Sequence, residues 1–350
     1  MNYILIDNKN DKFSNVKLLG EGLIDICLKY GNVITDIKDV TGEGYTIIIP
    51  NNVYFIDSSA IVEVIEYHNM RKLGFTYVCK GSTKLGIYVI DNSLIGENID
   101  KLMGINSNSG FSSNKFYMFN DFYELSVIED ELRKIINKRH MLNGVRIENP
   151  DTVSISPSVV IDSGVTIKKG SSIYGNTIIK TKATVGPDSE LFNAFIDEGA
   201  LVKQSVIYDS KVGKNSTIGP FTHLRMNTVT GENNRIGNFV EIKNSIIGNK
   251  TNVSHLTYVG DTDCGSGVNF GCGTVTVNYD GKNKFRCKIG DNVFIGCNSN
   301  LIAPITIEDG AFIAAGSTIN QSLNKDDFAI ARARQVTKPG YGKKFGYKKV

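Results

Sequence analysis

The sequence predicts an α/β region over residues 1–120, a linking helix at 121–145, a parallel β-helix of six-residue repeats over 146–335 and a basic tail at 336–350. Three observations carry this expectation. Apolar residues recur six apart from Ile155 onward, glycine supplies 35 of 350 residues and clusters beside them, and the first 120 residues lack that rhythm.

The period comes first. Ile155, Ile161, Ile167, Ile173, Ile179, Val185 and Leu191 fall six apart, as do Val212, Ile218 and Leu224, then Ile236 and Ile242, and Ile247, Val253 and Val259. Cys264, Phe270 and Thr276 follow, then Ile289, Ile295, Leu301, Ile307, Ile313 and Ile319. A helix of 3.6 residues per turn would carry such a stripe around its axis, whereas a coil with three six-residue sides keeps every marked residue inward. Gly, Asn and Asp beside the marked positions suit corners, where positive φ is tolerated. Stacked coils pair each strand with the next, so stability sums over neighbours.

Ahead of the repeats, Asp121 to Asn143 places Leu125, Ile128, Leu132, Ile135 and Ile136 on one face and stops at Gly144, the pattern of a helix. Earlier still, apolar runs at Tyr45–Pro50 and Gly86–Ile90 alternate with a helix-like stretch at Ala60–Arg71, an α/β pattern.

Charge and cysteine content bound the function. With 39 basic against 36 acidic residues, the net charge of +3 calls for neither nucleic acid nor an anionic membrane as partner. Cys27, Cys79, Cys264, Cys272, Cys287 and Cys297 form no CxxC pair and have no histidine at ligand spacing, so reduced thiols and no metal site are expected. The first residues lack a long apolar core for a signal peptide, and no run reaches the roughly 20 apolar residues of a membrane span. A cytoplasmic location is the expectation.

Chemistry is expected where the repeat breaks. Between Thr276 and Ile289 thirteen positions replace six or twelve, and the insertion contains Asn278-Tyr279-Asp280-Gly281-Lys282-Asn283-Lys284. Its Asn, Tyr and Lys side chains suit a polar anionic ligand, although loop statistics alone favour a solvated turn. His255 lies just before, one of four histidines with His68, His140 and His223. Taken alone it is a surface imidazole or a base, and Arg225 and Lys243 are solvated cations or phosphate partners.

At these residues the chain resembles the acetyltransferase domain of the bacterial bifunctional N-acetylglucosamine-1-phosphate uridyltransferase and glucosamine-1-phosphate N-acetyltransferase. The resemblance runs from about Asn137 to Lys338. It rests on His140-Met141-Leu142-Asn143-Gly144-Val145, Gly237-Asn238-Phe239-Val240-Glu241, His255-Leu256-Thr257-Tyr258, Val268-Asn269, Asn278-Tyr279-Asp280-Gly281 and Ala331-Arg332-Ala333-Arg334-Gln335. It implies a left-handed coil, acetyl-CoA as cosubstrate, glucosamine-1-phosphate as acceptor and a homotrimer with sites between neighbouring solenoids. It further implies that Arg225, Lys243, Tyr258, Asn269 and Lys284 hold the sugar phosphate and that His255 is the general base. Asn278 and Tyr279 match residues lining the acceptor and thioester site, while Cys272, Cys297, Ala315 and Arg332 match acetyl-CoA contacts. Cys272 stands where that family commonly has alanine, and Cys297 where it commonly has serine.

The first 120 residues resemble the uridyltransferase domain in outline only: Met1–Ile6 as its first strand, Asn15–Tyr30 as the segment after its nucleotide loop, Gly86-Ile87-Tyr88 as a later strand. The family's glycine-rich L-A-A-G-x-G-T-R-M loop is replaced by Ile6-Asp7-Asn8-Lys9-Asn10-Asp11-Lys12, which does not offer phosphate the same close backbone approach. Near Pro50-Asn51-Asn52-Val53 asparagine replaces a Mg²⁺-binding carboxylate, and lysine or leucine ahead of Gly86 replaces a second metal ligand. The region is about 100 residues shorter than an ordinary domain of that kind. Loss of uridyltransferase activity and a role as a cap on the solenoid are therefore expected. The alternatives are acetyl transfer to another amino sugar or nucleotide sugar, and a non-catalytic solenoid binding a sugar phosphate or CoA.

Overall fold

Alternation of β-branched and aromatic residues in the first 120 positions builds a mixed sheet. Its six strands run in the order Asn32–Ile34, Tyr3–Asp7, Tyr45–Pro50, Thr83–Asp91, Phe75–Lys80, Gly110–Ser112. The first three are parallel, and Thr83–Asp91 is antiparallel to both its neighbours. Helix Ser58–Arg71 buries Ala60, Ile61, Val64 and His68. The computed structural model describes residues 2–8, 11–13, 15–28, 30–55, 58–72, 74–99, 101–102 and 109–345. Lys9 and Asn10 of the altered loop, Lys29, and Lys348 and Lys349 of the tail lie outside them.

The chain divides into two compact units, Met1–Asn193 and Ala194–Val350, a division that falls within the repeats. In the first unit, the segment after the altered loop reaches the opening coils: the Ser156 hydroxyl donates to the Leu19 carbonyl at 2.5 Å. Gly20 lies so close to Tyr174 that a Cβ there would meet its ring at 2.5 Å.

The linking helix spans Phe122–Leu142. Asp121 caps it by accepting from the Glu124 amide at 2.8 Å, and Gly144, at φ +87°, ends it. Leu125, Ile128, Leu132 and Ile136 are buried as expected, but Ile135 is 42% exposed, because it lies about 100° around the axis from Ile136 and falls off the stripe. Asn137 anchors the helix to the first coil, its amide donating to the carbonyls of Pro150 at 2.8 Å and Val153 at 2.9 Å.

His140, near the helix end, is buried, and its Nε2 has no hydrogen-bond partner. Burial first, then the Arg139 charge, drives its pKa from 6.5 down to about 4. The unfolded chain therefore binds this proton at higher pH than the folded one, so stability falls as pH drops from 6.5 toward 4. The loss amounts to about 3 kcal/mol. Replacing His140 by Gln should flatten the dependence of thermal unfolding on pH across that window. A variant whose unfolding tracks the parent at every pH would refute the assignment.

The repeats form the parallel β-helix that the period predicts, with the left hand that the resemblance implies. In the first unit Ser154–Ile155 pairs in parallel with Ser172–Tyr174, and that strand with Glu190–Phe192, so Ile155, Ile173 and Leu191 stack 18 residues apart. The other sides behave alike. In the second unit Glu241 pairs with Tyr258, Tyr258 with Val275, Val275 with Asn300 and Asn300 with Thr318. Every residue of the six-apart series is buried, Thr276 included. Its hydroxyl is satisfied inside the core by the Gly260 amide at 2.7 Å and the Gly260 carbonyl at 3.1 Å.

Candidate functional site

One corner of the Ala194–Val350 unit carries a column of chemically distinct residues. Strands Arg235–Lys243 and Asn252–Gly260 run side by side and place Asn238 against His255. A Cβ on Gly237 would fall 2.0 Å from the Ser254 carbonyl oxygen, so only glycine lets the two coils close here. On the next coils Val253 pairs with Phe270 and Tyr258 with Val275, then Phe270 with Ile295 and Val275 with Asn300. Ile295 pairs with Ile313 and Asn300 with Thr318. Counting between these pairs sets His255, Cys272, Cys297 and Ala315 in line. Backbone bonds follow the same line, from the Asn298 amide to Cys272 at 2.8 Å and from the Gly316 amide to Cys297 at 2.7 Å.

His255 is exposed, and its Nδ1 lies 2.7 Å from the Asn238 side-chain oxygen. Because that oxygen only accepts, Nδ1 carries the hydrogen of the neutral ring and Nε2 presents a lone pair to solvent. Asn238 thus fixes both tautomer and ring direction.

A second cluster occupies the C-terminal end of these strands, beyond the turn at Leu256, whose φ is +46°. Arg225, Lys243 and Gly260 are in register. The Arg225 guanidinium is held by Glu241, with Nε at 2.7 Å and a terminal nitrogen at 2.6 Å from one carboxylate oxygen. Lys243 is 5% exposed, and its ammonium lies 3.7 Å from Asp261, which is 4% exposed. Asp261 also accepts from Asn244 at 2.5 Å and from the Asn278 amide. Burial opposes its ionisation, but those two hydrogen bonds and the charges of Lys243 and Lys284 outweigh it and hold its pKa below 3.8.

Lys284 is held below its usual pKa by hydrogen bonding and charge repulsion from Lys243, with Asp261 and Tyr258 opposing. Lys243 and Lys284 thus face one another across the Asp261 carboxylate. The Tyr258 hydroxyl and the Asn278 amide lie over Gly260, where a Cβ would meet them at 2.3 and 2.8 Å. The inserted loop delivers Lys284: Tyr279 bridges to Lys284, and Asp280 accepts from the amides of Lys282 at 2.7 Å and Asn283 at 2.6 Å.

The fold thus gathers Lys243, Lys284, Tyr258 and Asn278, with Arg225 alongside, and separately aligns His255, Cys272, Cys297 and Ala315. Asn269 stands on the preceding side of the coil, in register with Asn252. Tyr279 is exposed and turns its hydroxyl to the Gly281 carbonyl at 2.7 Å. Arg332 is exposed, its side chain 3.7 Å from where a Gly316 Cβ would sit. Sequence reading assigned no role to Asn238, Glu241 or Asp261, which hold His255, Arg225 and Lys243. Coil length was the available signal, because each of the pairs Asn238–His255, Asn244–Asp261 and Asp261–Asn278 is 17 apart.

Among the described residues no group of three or more His, Cys, Asp or Glu side chains is placed to hold a metal, and no helix is long and apolar enough to cross a membrane.

Residues 155–260 match the family described as GMPPB C-terminal domain, and residues 286–321 match the bacterial transferase hexapeptide family. The chain is similar to a bifunctional protein GlmU of Acholeplasma laidlawii, 50% identical over 264 residues, covering 75% of this chain and 53% of that protein. A bifunctional protein GlmU of Clostridium acetobutylicum is 38% identical over 338 residues, 93% of this chain and 71% of that protein. The chain spans about half the length of the former and of a Clostridium novyi relative (53% of each). Solved structures of UDP-N-acetylglucosamine acyltransferases from Bacteroides fragilis (TM-score 0.34, 18% identity, 50% of this chain and 70% of that one) and Francisella novicida (0.32, 15%, 49% and 62%) align more distantly. Identity of 38% across more than two thirds of a curated relative establishes that this chain belongs to the bifunctional protein GlmU family.

Proposed function

We propose that this protein transfers an acetyl group from acetyl-CoA to the amine of glucosamine-1-phosphate. The observation that carries this reading is the imidazole of His255, held by Asn238 with Nε2 free, on strands whose C-terminal ends carry Lys243 and Gly260, where Arg225 and the loop residue Lys284 gather. The resemblance assigns the same residues to the base and the phosphate site.

In this scheme the cations hold the 1-phosphate and the corner column of Cys272, Cys297 and Ala315 lies along acetyl-CoA. An amino sugar is largely an ammonium ion at neutral pH, and only its free amine attacks. His255 Nε2 accepts a proton as the nitrogen adds to the thioester carbonyl. The tetrahedral intermediate then expels the CoA thiolate, which takes up a proton from the imidazolium. The Asn278 amide already donates to Asp261 within the cation cluster, so backbone amides of the corner are the donors offered to the oxyanion.

The proposal includes a homotrimer. Phe221, Phe239 and Leu256 are exposed along the His255 corner, the two rings stacked with centroids 5.4 Å apart. Phe294, Phe312 and Phe328 form a second exposed ladder, with centroids 4.5 and 5.8 Å apart. Contiguous apolar surfaces of this kind fit contact with neighbouring copies. The α/β region is proposed to cap the coils without uridyl transfer, in keeping with the Leu19–Ser156 and Gly20–Tyr174 contacts. Its cleft of about 270 Å³, lined among others by Asn8, Lys17, Asp25 and Asn51, has asparagine where the resemblance implies a metal-binding carboxylate.

The test is to incubate purified protein with acetyl-CoA and glucosamine-1-phosphate while following free thiol. One thiol should appear per amine acetylated, with glucosamine-1-phosphate preferred over other amino sugars and nucleotide sugars by kcat/KM. No thiol release from folded protein would overturn the proposal, and a clear preference for another amine would reassign the acceptor.

A further inference from the structure

The corner that carries His255 also carries two thiols that proton transfer and acyl transfer do not use. Cys272 and Cys297 occupy the same corner position on successive coils, fixed by the flanking pairs Phe270–Ile295 and Val275–Asn300. The two coils approach closely here: a Cβ on Gly271 would lie 2.4 Å from the Cys297 nitrogen and 2.8 Å from its Cα. Neighbouring strands are separated by about 4.8 Å. That lies inside the roughly 4.4–6.8 Å between Cα atoms that a disulfide spans.

Access favours the same pair. Cys297 is exposed and Cys272 partly so, and both are free thiols. Cys264 and Cys287 also sit on neighbouring coils, but Cys264 faces Ile289 and Cys287 faces Thr262, two positions out of step. Both are buried, and burial is the main cause that raises their pKa, that of Cys287 to about 11. Cys27 is fully buried and its thiol is raised to about 12. Ala315, the next residue of the column, keeps the side chains beyond His255 small along this edge. Two stacked cysteines add redox chemistry to it.

We infer that Cys272 and Cys297 are a redox modification site, joined by a reversible disulfide that obstructs the acetyl-CoA edge of the corner; the obstruction, though not the bond, rests on the function proposed above. The oxidant is a low-molecular-weight disulfide. The Cys297 thiolate attacks one of its sulfurs, and a small thiolate leaves with the electron pair of the broken bond. The Cys272 thiolate then attacks the Cys297 sulfur, the protein disulfide forms and the second small thiolate departs. Two protein thiols give up two electrons and two protons, and the oxidant receives both as two small thiols.

The test uses the full chain, reduced, desalted and exposed to glutathione disulfide. Peptide mapping without reduction should recover a Cys272–Cys297 cross-link that dithiothreitol removes, and acetyl-CoA present during oxidation should slow its formation. Acetyl transfer by the oxidised protein should fall by about 10²-fold, the scale of a misplaced thioester, and return on reduction. The Cys297→Ser variant, whatever its own rate, should have the same rate before and after oxidant.

A stable glutathione adduct on Cys297 with Cys272 still open to alkylation would overturn the pairing, as would two thiols that remain alkylatable. A cross-link without loss of activity would overturn the obstruction. If the reduced protein is itself inactive, the proposed function and the obstruction fall together, while the cross-link still decides the pairing.

Discussion

Replacing His255 by Ala should lower kcat by about 10²- to 10⁴-fold while leaving the KM for both substrates within a few-fold of the parent, the signature of a lost general base. The split matters because a merely structural histidine would disturb binding and stability together. His255 is exposed and bonded by side chain only to Asn238, so its removal leaves the coil intact. Asn238 separates positioning from catalysis. Asn238→Ala frees the ring to rotate and should cost up to about 10²-fold in kcat. Asn238→Asp keeps the acceptor oxygen but adds a negative charge that favours the imidazolium, so the acid limb of the kcat/KM profile should move to higher pH. Steady-state kinetics across pH on the three variants decides the matter. Full activity in His255→Ala would remove the base assignment, and an unmoved acid limb in Asn238→Asp would remove the positioning role.

The coil was legible because a side of six residues marks its own inward position, and one aliphatic residue per side survives any detail of the corner. The six-apart series from Ile155 to Ile319 is thus marked by the sequence alone, and all of it is buried. The partners at the site were harder to read, because they sit one coil apart. Asn238, Glu241 and Asp261 appear in sequence as ordinary polar residues, and only a spacing of 17 ties them to His255, Tyr258 and Asn278. The cysteine pair was obscured further, since the inserted loop stretches its coil from 17 or 18 residues to 25. Ile135 failed for the opposite reason: apolarity was read as burial at a position where helix geometry turns the side chain to solvent. In the α/β region, missing glycines and carboxylates were visible, but contacts such as Leu19 with Ser156 join residues 137 apart that no local pattern connects.

Asp261→Asn should destabilise the second unit by about 3–5 kcal/mol, the usual cost of removing one partner of a buried ion pair. Lys243 is almost wholly buried, and the same carboxylate faces Lys284 and accepts from Asn244 and Asn278. Without it, two neighbouring ammonium groups lose their shared counter-charge, and two side-chain amides face an amide that must turn to accept from either. The pH dependence has a definite sign. The folded pKa of Asp261 lies below its ordinary 3.8, so its stabilisation is fully present above that value and is lost as pH falls through the lower folded one. The variant should therefore lose the parent's dependence of unfolding on pH in that acid window. An anion should restore part of the loss: inorganic phosphate or glucosamine-1-phosphate should raise the unfolding temperature of Asp261→Asn more than that of the parent, and more strongly at low salt, because it replaces the missing charge between Lys243 and Lys284. Calorimetry with and without phosphate measures this directly. A variant that melts with the parent would mean that the lysines do not depend on Asp261, and equal phosphate shifts in the two proteins would mean that the anion binds somewhere other than between them.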